Sequence, residues 1–292
     1  MIIDCHYHLD ERLLKMDELI SRMDAAGVDK TALMAPMVEP FKEPSPLLVS
    51  LLLYFLTHKS LRGIGKSLVA NFDENGDIMI LGKRSRIDKD PDNTLVFDAV
   101  RRYPDRFVGW IFVNPRGKNN PLRVYEQWKG TPGVIGIKAH SFWHHFSPVE
   151  LAPVAHELAK TGKPLLIHVG FGEEGNFYSL LDQVPNLKLI LAHAGFPVYR
   201  DTWKMIKDKK QVYVDLSQTS YVNNGITREV VAYLGVERCL FGTDGPFGFS
   251  ASDHRFDYGF IRRRIERLFP DTGVQKRLLG QNFADLAGIK TA

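Results

Sequence analysis

Cysteine is scarce in this chain: two residues in 292, Cys5 and Cys239. Each falls in an apolar, strand-like run, which argues for small core residues rather than a disulfide framework or a thiol catalyst. Such sparing use suits a reducing compartment. An excess of one charge is also missing. The 38 basic and 34 acidic residues leave a net of +4, too mild to argue for nucleic acid. The densest basic stretches, residues 204–210 and 262–267, fall in helix-like segments and read as solvated faces. No long apolar run is present, since the most apolar window, residues 46–56, is well short of the roughly 18–20 residues that span a bilayer. The start has no basic leader followed by an apolar stretch. The mature chain is therefore expected to begin near Ile2 and to stay in the cytoplasm, free of membrane.

What is present is a rhythm. Short β-branched runs end in a loop and give way to amphipathic stretches. Strands are predicted at residues 2–6, 30–36, 106–115, 133–140, 164–170, 187–195, 212–217 and 238–244. Helices are predicted near 13–26, 121–130, 148–161, 175–184, 199–209, 226–234 and 255–268, with another starting near Asn93. Eight such units in one chain predict an α/β protein with the (β/α)8 TIM-barrel fold, a single domain over residues 1–292. A doubly wound open sheet is the weaker reading, because no strand runs into a glycine-rich phosphate-binding turn. Residues 37–92, after the second strand, are far too long for an ordinary βα loop. They hold an apolar helix candidate (47–57), a basic stretch (58–66) and a hairpin-like piece with Asn75–Gly76 as its turn. This insertion is expected to act as a lid, a dimerisation element or both. A second insertion, 245–259, follows the last strand.

Side chains of a strand alternate faces, so His6 and His8 point the same way and can grip one ion from one side. Other strands also end in a polar residue: Lys138 in GIKAH, His168 in PLLIHVG, His193 in LILAHAG and Asp244 in CLFGTDG. Taken singly, each has an ordinary explanation. A buried histidine is more often hydrogen-bonded core than ligand, Asp244 fits a turn or helix cap, and Lys138 fits an ion-paired or snorkelling lysine. A barrel core does not need five polar endings on one rim, however, and the rim at the strand C-termini is where such barrels place their active sites. Imidazole and carboxylate suit Zn²⁺, Mn²⁺, Fe²⁺ or Co²⁺. Asp244 can touch the ion and accept a water proton, and His193 can shuttle a proton or polarise a substrate oxygen. Asp4 faces inward as a hydrogen-bond partner. His58, His144, His145, His156 and His254 lie in loops or helices and are expected on the surface or the pocket wall.

In this order along the chain, DCHYH, IHVG, LAHAG and LFGTD resemble the amidohydrolase superfamily. More narrowly they are similar to its amidohydrolase-related branch, which includes aminocarboxymuconate-semialdehyde and resorcylate decarboxylases and lactone hydrolases. The stretch VQKRLLGQNFADLAGI resembles that branch's closing helix. The resemblance implies that His6, His8, His168 and Asp244 are metal ligands, with Asp244 also the base. It makes His193 catalytic in a one-ion site. In two-ion relatives the equivalent of His193 binds a second metal, bridged by a carboxylated lysine that Lys138 resembles. One ion, zinc, is the expectation, and two if Lys138 is carboxylated.

The expected activity is therefore a metal-dependent hydrolase acting on a lactone, amide or related carbonyl of a small, planar or carboxylate-bearing molecule. The alternative is a non-oxidative decarboxylase of an aromatic or unsaturated carboxylic acid. A TatD-type nuclease fits less well, because strand four there offers a glutamate in place of Lys138. His140, Phe142, Trp143 and Phe196 are the candidate substrate contacts, as rings walling the pocket suit a ring-bearing substrate. Arg62, Lys66, Lys83, Arg84 and Arg86 of the insertion are candidates for pairing with a carboxylate, though a solvated loop explains any one of them. The apolar run is expected to be buried by the barrel top or by a second subunit, making a homodimer.

Overall fold

The eight apolar, β-branched runs form parallel strands: β1 (Ile3–His8), β2 (Lys30–Met34), β3 (Phe107–Phe112), β4 (Val134–His140), β5 (Leu165–His168), β6 (Leu189–Leu191), β7 (Val212–Asp215) and β8 (Cys239–Leu240). The computed structural model describes residues 1–40, 46–69, 72–80, 83–247 and 256–290. The strands pair in chain order, every pair parallel. Most are buried end to end, as strands covered on both faces must be. The first and last then meet. Cys5 N donates to Phe241 O (3.0 Å), His8 N to Gly245 O (2.7 Å) and Asp244 N to His6 O (2.8 Å). These bonds close the sheet into a (β/α)8 barrel and exclude the open doubly wound sheet.

Helices return the chain between strands: Met16–Ala25, Asn93–Arg102, Pro121–Trp128, Ala152–Thr161, Phe177–Gln183, Tyr199–Ile206, Asn224–Leu234 and Phe260–Leu268. Several start where a side chain can satisfy an orphan amide. Asp92, Asn120, Asn176 and Asn223 each accept a backbone N–H of the first turn. Inside the barrel the buried Trp110 indole lies over Gly136, where a Cβ would meet the ring at 2.8 Å, and its Nε1 donates to Cys5 O at 3.0 Å. The closing helix Asn282–Ala287 packs beneath, with the Phe283 ring 5.9 Å from Trp110. Both cysteines are buried and free.

The insertion after β2 contains helices Pro46–Thr57 and Arg62–Val69 and an antiparallel pair, Ile78–Ile80 with Lys83–Ser85. The tight turn lies where the sequence places it. Phe72 bridges Ile78, Asp73 Oδ1 accepts the amides of Asn75 and Asp77, and Gly76 takes φ +79°, a conformation open to glycine. Within this chain the apolar run is covered on one side: Leu56 is 5% exposed, whereas Leu47 is 82% and Tyr54 51% exposed. The helix is apolar all round, so covering one face leaves the other for a further partner. Residues 248–255 of the second insertion, with His254, lie outside the described residues.

Candidate metal centre

At the C-terminal rim the β1 and β8 ends converge. His6 Nε2 lies 3.1 Å and His8 Nε2 3.6 Å from Asp244 Oδ1, and His193 Nε2 lies 3.9 Å from Asp244 Oδ2. Ligand atoms of His6, His8 and Asp244 all lie within 4.8 Å of one another, close enough to share one ion. The far nitrogen of each imidazole is engaged. His6 Nδ1 meets Asp215 Oδ2 at 2.9 Å, His8 Nδ1 meets Ala35 O at 3.4 Å, and His193 Nδ1 meets Ser217 Oγ at 2.9 Å. Ser217 in turn donates its hydroxyl to Asp215 Oδ1 at 2.5 Å. With Nδ1 donating in each ring, the Nε2 of all three is turned toward the same carboxylate, in His8 and His193 as a bare lone pair. This donor set fits a divalent cation. A second trio, His6, His193 and Asp215, is also compact. There, however, Asp215 Oδ1 already accepts the amides of His193 and Ser217 and Oδ2 meets His6, so its chemistry is orientation of the rings.

The protonation states agree with this arrangement. Burial pushes His8 down to about 3 and His193 down to about 4, leaving both neutral near pH 7. Burial would raise Asp244, but the facing His193, His6 and His8 override it and hold the carboxylate well below its usual range. His6 is the exception. Burial and Lys138 oppose its protonation, yet Asp215 and Asp244 outweigh them and its pKa is raised. Lys138, fully buried, is pushed down to about 8 by desolvation, and its Nζ lies 3.3 Å from His6 Nε2.

His168, His140, Phe142, Trp143 and Phe196 line the same cavity. His168 lies beside His193 and His140. Its ring centroid is 4.7 Å from His193 and 4.1 Å from His140, and it stands outside the compact trio of His6, His8 and Asp244. His140 accepts the Trp143 amide at Nδ1 (3.1 Å) and stacks on that indole. Phe142, Trp143 and Phe196 wall the cavity. Asp4 stitches the barrel seam, accepting Thr243 N, Thr243 Oγ1 and Tyr258 OH. His144 departs from expectation: it is neither on the surface nor on the pocket wall, but buried with Nε2 3.0 Å from Asp88 O. The insertion's arginines turn away from the cavity. Arg62 Nε donates to Leu56 O (3.1 Å), Arg84 pairs with Asp73 and Asp77, and Arg86 lies 3.8 Å from Glu39. The side chains of Lys66 and Lys83 lie outside the described residues.

Two residues escaped the sequence reading. Asp215 ends its strand in a polar group just as His168 does, so the same signal marks it. Gln218 gives no such signal. Its Nε2 donates to Asp244 Oδ2 at 3.0 Å from a loop residue at φ +63°. His193 (φ 53°) and Asp244 (φ 60°) are left-handed as well. Strained backbone of this kind persists where the surroundings over-determine it, and here it clusters on the three residues around one carboxylate.

A family model described as amidohydrolase matches residues 83–287. The chain belongs to the amidohydrolase family. Solved structures agree on the fold. The amidohydrolase described here superposes on 5-carboxyvanillate decarboxylase LigW from Sphingomonas paucimobilis with a TM-score of 0.62 and 14% identity, covering 99% of each chain. A putative 2-pyrone-4,6-dicarboxylic acid hydrolase from Pseudomonas putida gives 0.62 and 15%, covering 100% of this chain and 98% of that one. A dihydroxybenzoic acid decarboxylase from Polaromonas sp. JS666, with bound manganese and the inhibitor 2-nitroresorcinol, gives 0.59 and 15% over the same shares. Among curated proteins, protein fluG of Emericella nidulans is 25% identical over 134 residues, 40% of this chain. The match spans only 15% of that protein's length. The family is one of metal-dependent enzymes, and its fold neighbours include both hydrolases and decarboxylases. No helix among the described residues is long and apolar enough to cross a membrane.

Proposed function

We propose that this amidohydrolase is a metal-dependent hydrolase that opens a lactone, amide or related carbonyl. The observation that supports it best is the ionised Asp244 carboxylate set among the Nε2 atoms of His6, His8 and His193. His6, His8 and Asp244 would hold the ion, with His168 joining from β5. Zinc is the proposed metal, and one ion the proposed count while Lys138 is an unmodified amine. A divalent cation there would supply Lewis acidity and would lower the pKa of a water beside it to near neutrality.

The chain's own residues do the rest. Asp244 Oδ2 accepts the proton of the attacking water. Gln218 Nε2 fixes that oxygen, so the carboxylate does not swing away as its charge changes. His193 Nε2, on the same side of Asp244, passes the proton on to the leaving oxygen or nitrogen. Asp215 and Ser217 hold the His193 and His6 rings in register through the turnover. The apolar walls exclude bulk water and strengthen each of these charge interactions.

Decarboxylation is the second reading, favoured by the names of several fold neighbours. The deciding experiment supplies zinc- and manganese-loaded protein with a panel of aryl lactones, amides and hydroxybenzoates in ¹⁸O water. Label in the product without CO2 is the expected result. Release of CO2 with no label would overturn hydrolysis.

A further inference from the structure

The polar floor lies beneath a cavity of about 340 Å³. From the insertion, Leu48, Leu52, Leu56, Ile78 and Met79 face it, and from the barrel loops Phe142, Trp143, Phe171, Phe196 and Phe247. Among the described residues that line it, Lys138 is the only lysine or arginine, and it sits at the floor against His6. The insertion's described arginines are all engaged elsewhere, on Leu56 O, on Asp73 and Asp77, and beside Glu39. Gln218 also lines the cavity, and its amide is held by Asp244 Oδ2 and Phe247 O. In the wall Phe196 stacks on Tyr221, with centroids 4.2 Å apart and planes 4° from parallel.

A carboxylate lodged among these leucines and rings would lose its hydration without gaining a counter-charge from any described residue of the wall, a penalty far greater than any packing gain. An uncharged ring or alkyl group of the same size gains from burial on every side. The fold neighbours act, by name, on molecules that carry carboxylates. The cavity of this chain is built for something else.

We infer that the substrate is uncharged and apolar: an aryl- or alkyl-bearing lactone, ester or amide that presents only its reacting carbonyl to the floor. The inference rests on the hydrolase reading and narrows it to a substrate class. The insertion is then the element that sets specificity, because half of the apolar wall comes from it.

The test uses the full chain loaded with zinc and matched pairs of ligands, such as dihydrocoumarin and the same ring carrying a carboxylate. The neutral member is expected to exceed the charged one by about 100-fold in kcat/KM. Equal or reversed preference overturns the inference while leaving hydrolysis intact. If neither ring opens, binding still decides the inference. Quenching of Trp143 fluorescence, with Trp143→Phe as the blank, should then report tighter binding of the neutral ring. Tighter binding of the carboxylate overturns it. A third arm places a cation in the wall. Leu52→Arg should shift the preference toward the carboxylated ring by about tenfold, read as a ratio within one variant so that lost folding does not imitate it. An unchanged ratio in folded Leu52→Arg, checked by circular dichroism, means the wall does not select and overturns the inference.

Discussion

The floor and the roof of the cavity are built on opposite terms. The floor is polar, and its side chains are tied twice over. His6, His193 and Asp244 each have one partner in the site and another behind it, and the backbone itself is held in left-handed turns. The roof is apolar, and its helix Pro46–Thr57 has one side on the cavity and the other uncovered within this chain. Rigid hydrogen-bonded elements suit chemistry, where a misplaced atom is costly in rate. Apolar walls on an inserted segment suit discrimination, because they can be exchanged without disturbing the strands. Under the proposed function the barrel would carry the reaction and the insertion the choice of substrate.

That division predicts where substitutions act. The largest effect is expected at the floor. Asp244→Asn should lower kcat by about 10³-fold, within the usual range for losing a general base, with the fold intact by circular dichroism. His6→Ala should purify without stoichiometric metal. Full metal content by elemental analysis would break the assignment of His6 as a ligand. The junction between the two regions should show in pH. Burial holds His144 at about 4, with Nε2 3.0 Å from the Asp88 carbonyl at the end of the insertion. A histidine depressed on folding contributes its full stability above its unfolded pKa near 6.5 and loses it as pH falls toward 4. Urea midpoints should therefore drop between pH 7 and pH 5. In His144→Gln the drop should be shallower by up to about 3 kcal/mol over the whole titration. Behind the floor, Asp215→Asn should weaken metal binding by about 10- to 100-fold, measured by competition with a chelator. The smallest effect belongs to the roof. Leu56→Ala should raise KM about tenfold for an apolar substrate with kcat nearly unchanged. A collapse of kcat in that variant would break the division itself.

The barrel and most of its floor were legible in the sequence because both obey a short period. Parity along β1 puts His6 and His8 on one side, and the closing strands bring them onto Asp244. The same rule marks Asp215, which reads as one more polar strand ending, yet its role shows only once its two oxygens are seen gathering His6, His193 and Ser217. Gln218 sits in a loop with no periodicity, and nothing local announces that its amide meets a carboxylate 26 residues away. The roof was half legible. A helix that is apolar all round declares that it must be covered without declaring which side. Its basic residues looked available to a carboxylate, and the partners that occupy Arg62, Arg84 and Arg86 depend on turns and backbone carbonyls that composition does not reveal.

The seam where the last strand meets the first has a consequence of its own. The amide of Asp244 donates to the carbonyl of His6, so the bond that shuts the ring of strands joins the two residues best placed to grasp a cation. An ion held there would clasp the first strand to the last. Chelation should then do more than silence turnover. It should let exchange with solvent deuterium begin at the backbone amides of residues 5, 8 and 244, ahead of the strands on the far side of the cylinder.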